Sequence, residues 1–191
     1  MNHEAFDVMS EFFKSADRLI ICGDYDCDGV SATSIAYLLA KKLGKDVGYY
    51  IPNRLTEGYG VKSHTIQMAS DKGYTDVLII DNGVKSHVEV ELAQSLGMRV
   101  GIIDHHLISD EIKADAFLHP DLLSVYGYSM CAAGLVYALS EYMGLDDEYM
   151  LSLAALATVG DVMPLWGKNR EIVRRGVAAI ERNQFLQFDL L

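Results

Sequence analysis

With 191 residues, half of them apolar and 23% charged, the chain can bury one sizeable core, which excludes extensive disorder and fibrous repeats. The 16 basic and 27 acidic residues leave a formal charge of −11, which excludes binding of nucleic acid by a broadly basic surface and demands local cations wherever a phosphate is met. Three cysteines, Cys22, Cys27 and Cys131, form no even disulfide framework and imply a reducing, cytoplasmic setting. An acidic start over residues 1–13 and the lack of about 18 unbroken apolar residues predict neither a signal peptide nor a membrane span.

In chain order, short aliphatic runs alternate with longer amphipathic stretches. Strands are predicted at Arg18–Cys22, Val47–Ile51, Val77–Ile80 and Val100–Ile103, with helices between them at Ser31–Leu43, Lys62–Lys72 and Ser86–Leu96. Gly44, Gly73 and Gly97 each follow a helix as a C′ cap. After Pro120 the pattern turns helical, with helices predicted at Cys131–Met143, Glu148–Val159 and Arg170–Glu181. The expected class is α/β: a parallel sheet with helices on both faces, built from βαβ crossovers, and a helical C-terminal part. No linker divides the chain, so one domain is expected over 1–191, with 1–120 carrying the sheet and 121–191 mostly helical.

The chemistry-bearing residues gather at the C-terminal ends of predicted strands. Asp24, Asp26 and Asp28 follow the first, Asp81 ends the third, and Asp104, His105 and His106 end the fourth. That edge of an open α/β sheet is where ligand sites form, and so many carboxylates meeting there would repel one another without cations. The D-x-D-x-D-G spacing of residues 24–29 also matches the opening of an EF-hand loop. That reading fails because the position due a bidentate Glu is Ile35 and because the segment follows a strand. Carboxylate oxygens with a single imidazole per ion suit Mn²⁺ or Mg²⁺ better than a thiolate-rich zinc site. Asp161, by spacing alone, reads as a polar residue ending a helix.

These residues carry a family likeness over nearly the whole chain. Gly23-Asp24-Tyr25-Asp26-Cys27-Asp28-Gly29, Asp81-Asn82-Gly83, Asp104-His105-His106 and Gly160-Asp161-Val162-Met163-Pro164-Leu165 with Asn169-Arg170 resemble, in order, the four motifs of the DHH phosphoesterase superfamily. The stretch from Ile51 to Gly60 is similar to the RecJ branch of single-strand-specific exonucleases. The resemblance implies a two-metal centre ligated by Asp26, Asp28, Asp81, His105 and Asp161, with Asp81 bridging the ions and Mn²⁺ favoured over Mg²⁺. It implies that His106 faces the phosphate and acts with Asp81 in catalysis, and that Arg54, Tyr59 and Arg170 meet the substrate. Arg54 offers a bidentate fork to phosphate, whereas Tyr59 reads either as a base-stacking ring or as cover for apolar surface. Arg170, Arg174, Arg175 and Arg182 form the one basic cluster, read as a solvated helix face.

Two departures stand out. Cys22 occupies a position that is His in many superfamily members, so Asp24 or water is expected to complete that site, the Cys22 thiolate being the alternative ligand. RecJ-like enzymes also add a second domain, for which 191 residues leave no room; a minimal homologue or an isolated core is expected. The function implied is 5′→3′ hydrolysis of single-stranded DNA by metal-activated water, with repair or replication proteins as partners. Two rivals remain: a phosphoesterase acting on short oligonucleotides or a small phosphoester, and a degenerate, non-catalytic DHH module that recruits a replication or repair protein.

Overall fold

Five short aliphatic runs make the framework. β1 (Arg18–Cys22), β2 (Asp46–Tyr50), β3 (Asp76–Ile80), β4 (Arg99–Ile103) and β5 (Ala116–Leu118) pair in parallel in the order β2-β1-β3-β4-β5. Around them lie α1 (Glu4–Ser15), α2 (Cys27–Lys42), α3 (Ser63–Asp71), α4 (His87–Ser95), α5 (Ala132–Tyr142), α6 (Glu148–Gly160) and α7 (Gly167–Asn183). The computed structural model describes residues 4–123, 129–183 and 185, so parts of the expected helical region at 124–128, 184 and 186–191 lie outside the described residues.

Because side chains alternate across a strand, each run feeds two cores. Leu19, Ile21, Leu78, Ile80 and Ile103 pack with α1, α2, α5 and α6, while Ile20, Cys22, Val77, Ile79, Val100 and Ile102 pack with α3 and α4. The α/β class, the parallel sheet and the helices on both faces are as expected. The four expected strands fall within a residue of β1 to β4. Gly44, Gly73 and Gly97 adopt φ of +73°, +77° and +79°, the left-handed conformation a C′ cap requires.

The structure adds two elements and extends two. α1 and β5 have no counterpart among the expected elements. β5 has only three residues, and α1 carries its helical signal in Phe6, Met9, Phe12 and Phe13, all buried, within a stretch whose acidity drew the reading instead. α2 begins at Cys27 rather than Ser31, because the Asp26 carboxylate caps it by accepting the Gly29 N–H at 2.8 Å. α7 begins at Gly167 rather than Arg170. No helix among the described residues is long and apolar enough to cross a membrane.

Strand order fixes where the ligand crevice opens. The chain runs from β1 outward to β2, then crosses β1 to reach β3, so the order reverses between β1 and β3. The crevice at such a reversal lies beyond the carboxyl ends of the strands.

Candidate metal centre

The loop after β1 folds back tightly on the start of α2. A Cβ on Gly29 would stand 2.6 Å from the Asp24 carbonyl oxygen, so only glycine lets the turn close. Closure buries Asp24 and Asp28 at 1% exposure each and leaves Asp26 at the rim. Asp28 lies in the first turn of α2 and reaches across the molecule to α5. Its two carboxylate oxygens accept the Ala132 and Ala133 N–H groups at 2.7 and 2.8 Å. α5 has no capping side chain of its own at Cys131, so Asp28 satisfies its orphan donors from a distant element.

Asp81 continues the β3 ladder by one residue, its N–H donating to the Ile103 carbonyl at 2.9 Å, and then turns left-handed at φ +66°. That conformation is uncommon outside glycine, though Asp and Asn reach it most readily. The Tyr59 hydroxyl donates to the Asp81 carbonyl at 3.0 Å and steadies the turn. After β4, the buried Asp104 carboxylate gathers four donors: the N–H groups of Val84, His105 and His106, and the His106 ring nitrogen Nδ1 at 2.8 Å.

These turns bring seven side chains together. His105 Nε2 lies 3.3 Å from Asp81 Oδ1, 3.6 Å from Asp28 Oδ2 and 3.7 Å from Asp161 Oδ2. Three overlapping triads have donor atoms all within 4.8 Å of one another: Asp24 with Asp26 and Asp81; Asp81 with His105 and His106; Asp28 with His105 and Asp161. Asp81 belongs to two of them. Asp81 Oδ1 and Asp24 Oδ1 are buried with no hydrogen-bond partner. An orphaned carboxylate oxygen is costly without a compensating charge, and hard oxygen donors with one or two imidazoles suit a hard divalent cation, so the donor set fits such ions.

The titration behaviour agrees. Burial, then the nearby Asp28 and Asp26 carboxylates, push the Asp81 pKa up to about 10. Burial also raises Asp28 and Asp24. Asp104 behaves oppositely, since the donors from His106 and Val84 outweigh its burial and hold it low, and its hydrogen bond in turn raises His106. The region thus holds one settled anion beside a group of carboxylates that cannot all ionise unaided.

The other expected residues are distributed as follows. Asp24, held in reserve by the sequence reading, sits deeper than Asp26. Cys22 joins none of the triads; its side chain packs among the apolar residues under α3 and α4, and burial pushes its thiol up to about 12, so thiolate ligation has no support. Arg54 lies over the Tyr25 ring at 5.1 Å, Tyr25 meets the edge of Tyr59 at 6.5 Å, and Tyr59 meets His106 at 6.2 Å. This file leads from a guanidinium to the His106 imidazole at the candidate centre, and Tyr25 is the member the sequence reading passed over. Arg170 stands exposed on the first turn of α7 and belongs to none of the three triads. Of its basic cluster, Arg175 pairs with Glu141 and Glu171, and Arg182 with Glu148. The α5 N–H groups that hold Asp28 were also missed, although a helix start lacking Ser, Thr, Asp or Asn at its cap was a legible sign of a cap supplied from elsewhere.

A parallel sheet with acidic and imidazole side chains at its β1/β3 crevice defines a class of metal-binding α/β domain, and the model of the DHH family, N-terminal domain, matches residues 18–160. The chain belongs to the DHH family. It is 34% identical over 197 aligned residues to the single-stranded-DNA-specific exonuclease RecJ of Escherichia coli, covering 93% of this chain and 34% of that protein. A crystal structure of the exonuclease RecJ bound to manganese superposes with a TM-score of 0.77 at 33% identity, over 92% of this chain and 47% of the other. A magnesium complex of RecJ from Thermus thermophilus superposes at 0.57 with 28% identity, over 92% and 22%. The chain spans about a third of the length of the E. coli relative, and divalent cations are the ions found in these related structures.

Proposed function

We propose that this chain is the catalytic core of a divalent-metal-dependent phosphodiesterase that hydrolyses single-stranded DNA from the 5′ end. One observation carries the reading: Asp81, strained, buried and unpartnered at Oδ1, stands between two groups of oxygen and nitrogen donors. Asp24, Asp26 and Asp81 would hold one ion, and Asp28, His105 and Asp161 a second, with Mn²⁺ favoured over Mg²⁺. Bound divalent ions supply activation of a water and neutralisation of phosphate charge. His106, whose pKa the hydrogen bond from Nδ1 to Asp104 raises, would donate to a phosphate oxygen from Nε2. Arg54 offers a fork to a terminal phosphate, and the Tyr25 and Tyr59 rings offer faces to bases. The retained donor set speaks against a degenerate binding module. We also take the described elements as one catalytic domain, since α5 and α6 share the core of the sheet. Three free thiols fit a reducing, cytoplasmic setting.

The test is digestion of 5′- and 3′-labelled single strands, with dinucleotides and pyrophosphate run beside them, in Mn²⁺ with and without chelator. Wild type is expected to release mononucleotides from the 5′ end only when metal is present, and Asp81→Asn or His105→Ala to lose at least about 100-fold of that rate. Equal activity with chelator, or near-normal activity of either variant, overturns the reading. Preference for dinucleotides or pyrophosphate moves the chain to the small-substrate class.

A further inference from the structure

Asn169 is 1% exposed in the first turn of α7, and no sheet edge or metal triad includes it. Its amide nitrogen donates to two backbone carbonyls, Ser129 at 2.7 Å and Pro164 at 3.1 Å. Two carbonyl partners fix the amide orientation, because only Nδ2 can face both. Its Oδ1 is left buried and unpartnered. A half-satisfied buried amide is a poor way to stabilise a helix start, and an apolar side chain would carry no such penalty. What the side chain achieves is positional.

The two carbonyls belong to the two segments that deliver ligands to one side of the metal centre. Ser129 leads directly into the α5 start, whose Ala132 and Ala133 N–H groups grip Asp28. Pro164 follows the turn that carries Asp161, whose next residue, Val162, sits left-handed at φ +54°. Asp28 and Asp161 share a triad with His105. The Asp24–Asp26–Asp81 triad has devices of its own: the Asp26 cap on α2, the closed turn at Gly29 and the Tyr59 bond to Asp81. None of these touches Asn169.

Resting on the two-ion reading above, we infer that Asn169 is a positioning residue for one of the two ions alone: its amide ties the segment leading into the α5 start, which grips Asp28, to the turn that carries Asp161, and thereby sets the affinity of the Asp28–His105–Asp161 site. Partners beyond the ligands themselves are typically worth about 10–100-fold in metal affinity.

The experiment is Mn²⁺ titration of the metal-free chain, followed by the fall of the free-ion EPR signal and by calorimetry, with the metal-free unfolding midpoint recorded beside it. Wild type is expected to take up two ions. Asn169→Ala is expected to keep one ion at wild-type affinity and to weaken the other by about 10–100-fold. Asp161→Asn is expected to weaken the same ion, and the double variant to weaken it by less than the sum of the two single losses, as for two residues acting through one site. Asn169→Ser, which retains one donor, falls between, and replaces the alanine variant if that chain does not fold. Equal weakening of both ions, an unchanged pair of affinities, or additive losses in the double variant overturns the inference while leaving the metal centre intact. A wild-type chain that takes up no Mn²⁺ overturns the metal centre and the inference together.

Discussion

At Asp81 the local cost and the functional value are the same feature. Burial of its carboxyl and the neighbouring carboxylates disfavour the ionised, metal-free state, and its left-handed backbone adds a cost in either protonation state. The pKa in the folded chain, about 10, stands above the ordinary 3.8, so the group favours folding fully below that ordinary value and the contribution is lost as pH rises toward 10. The metal-free protein is therefore expected to melt at a higher temperature near about pH 6 than near about pH 9, and saturating Mn²⁺ to reverse that order, because the ions bind the deprotonated site. Asp81→Asn keeps a residue type that tolerates the left-handed turn, removes the cost of holding this carboxyl away from its ordinary ionised state, and is expected to raise the metal-free melting temperature near neutral pH by about 2–4 °C for each kcal/mol of that cost. Thermal melts with and without chelator check both statements; a metal-free chain more stable at alkaline pH sinks them. The positions of Asp26, Asp28, Asp81 and the histidines at strand ends were legible in the sequence, because strand ends follow from apolar runs. The exchange of depth between Asp24 and Asp26 was not, since it arises from a turn closed by Gly29 and not from residue type.

Among the elements, α5 and the first turn of α2 are joined by one carboxylate. Asp28 differs from Asp81 because its oxygens both hold backbone donors, so removing it leaves two buried N–H groups at the start of α5 without partners. Loss of a helix cap costs about 0.5–2 kcal/mol. Asp28→Ala is expected to fall near the upper end of that range and to lower the metal-free melting temperature by about 4–8 °C, whereas Asp81→Asn raises it. Paired melts of the two variants in chelator decide it, and two shifts of the same sign would remove the structural distinction drawn between them. The same dependence explains what the sequence could and could not give about the elements. β1 to β4 and the helices after them were visible because each is a run with one clear period. β5 was invisible because three residues carry no period, and α1 was overlooked because its charge was weighed ahead of the spacing of Phe6, Met9, Phe12 and Phe13. The early start of α2 is set by a side-chain cap within a motif that looks like a loop when read for composition.

For the molecule as a whole, the proposed function asks a chain of charge −11 to bind an anionic polymer. Affinity for single strands grows with the number of phosphates neutralised, and the salt slope counts them at about −0.7 for each contact. On the face that holds the candidate centre, the file from Arg54 through Tyr25 and Tyr59 to His106 offers a guanidinium and an imidazole whose pKa Asp104 raises. Arg175 and Arg182 are consumed by Glu141, Glu171 and Glu148, which leaves Arg170 and Arg174 as the exposed α7 arginines with no acidic partner among the described residues. If the strand meets only Arg54 and His106, the logarithm of kcat/KM should fall with the logarithm of salt concentration at a slope near about −1.4, and KM should change little beyond the first few nucleotides of substrate length. Engagement of Arg170 and Arg174 as well would steepen the slope to about −2.8 and make KM fall with length. Arg54 and His106 are the two joined by ring contacts at the candidate centre, so the shallow slope and the length-independent KM are expected. Initial rates on single strands of increasing length across a salt series measure both quantities. A steep slope that Arg170→Ala together with Arg174→Ala returns to the shallow value would extend the substrate path across α7.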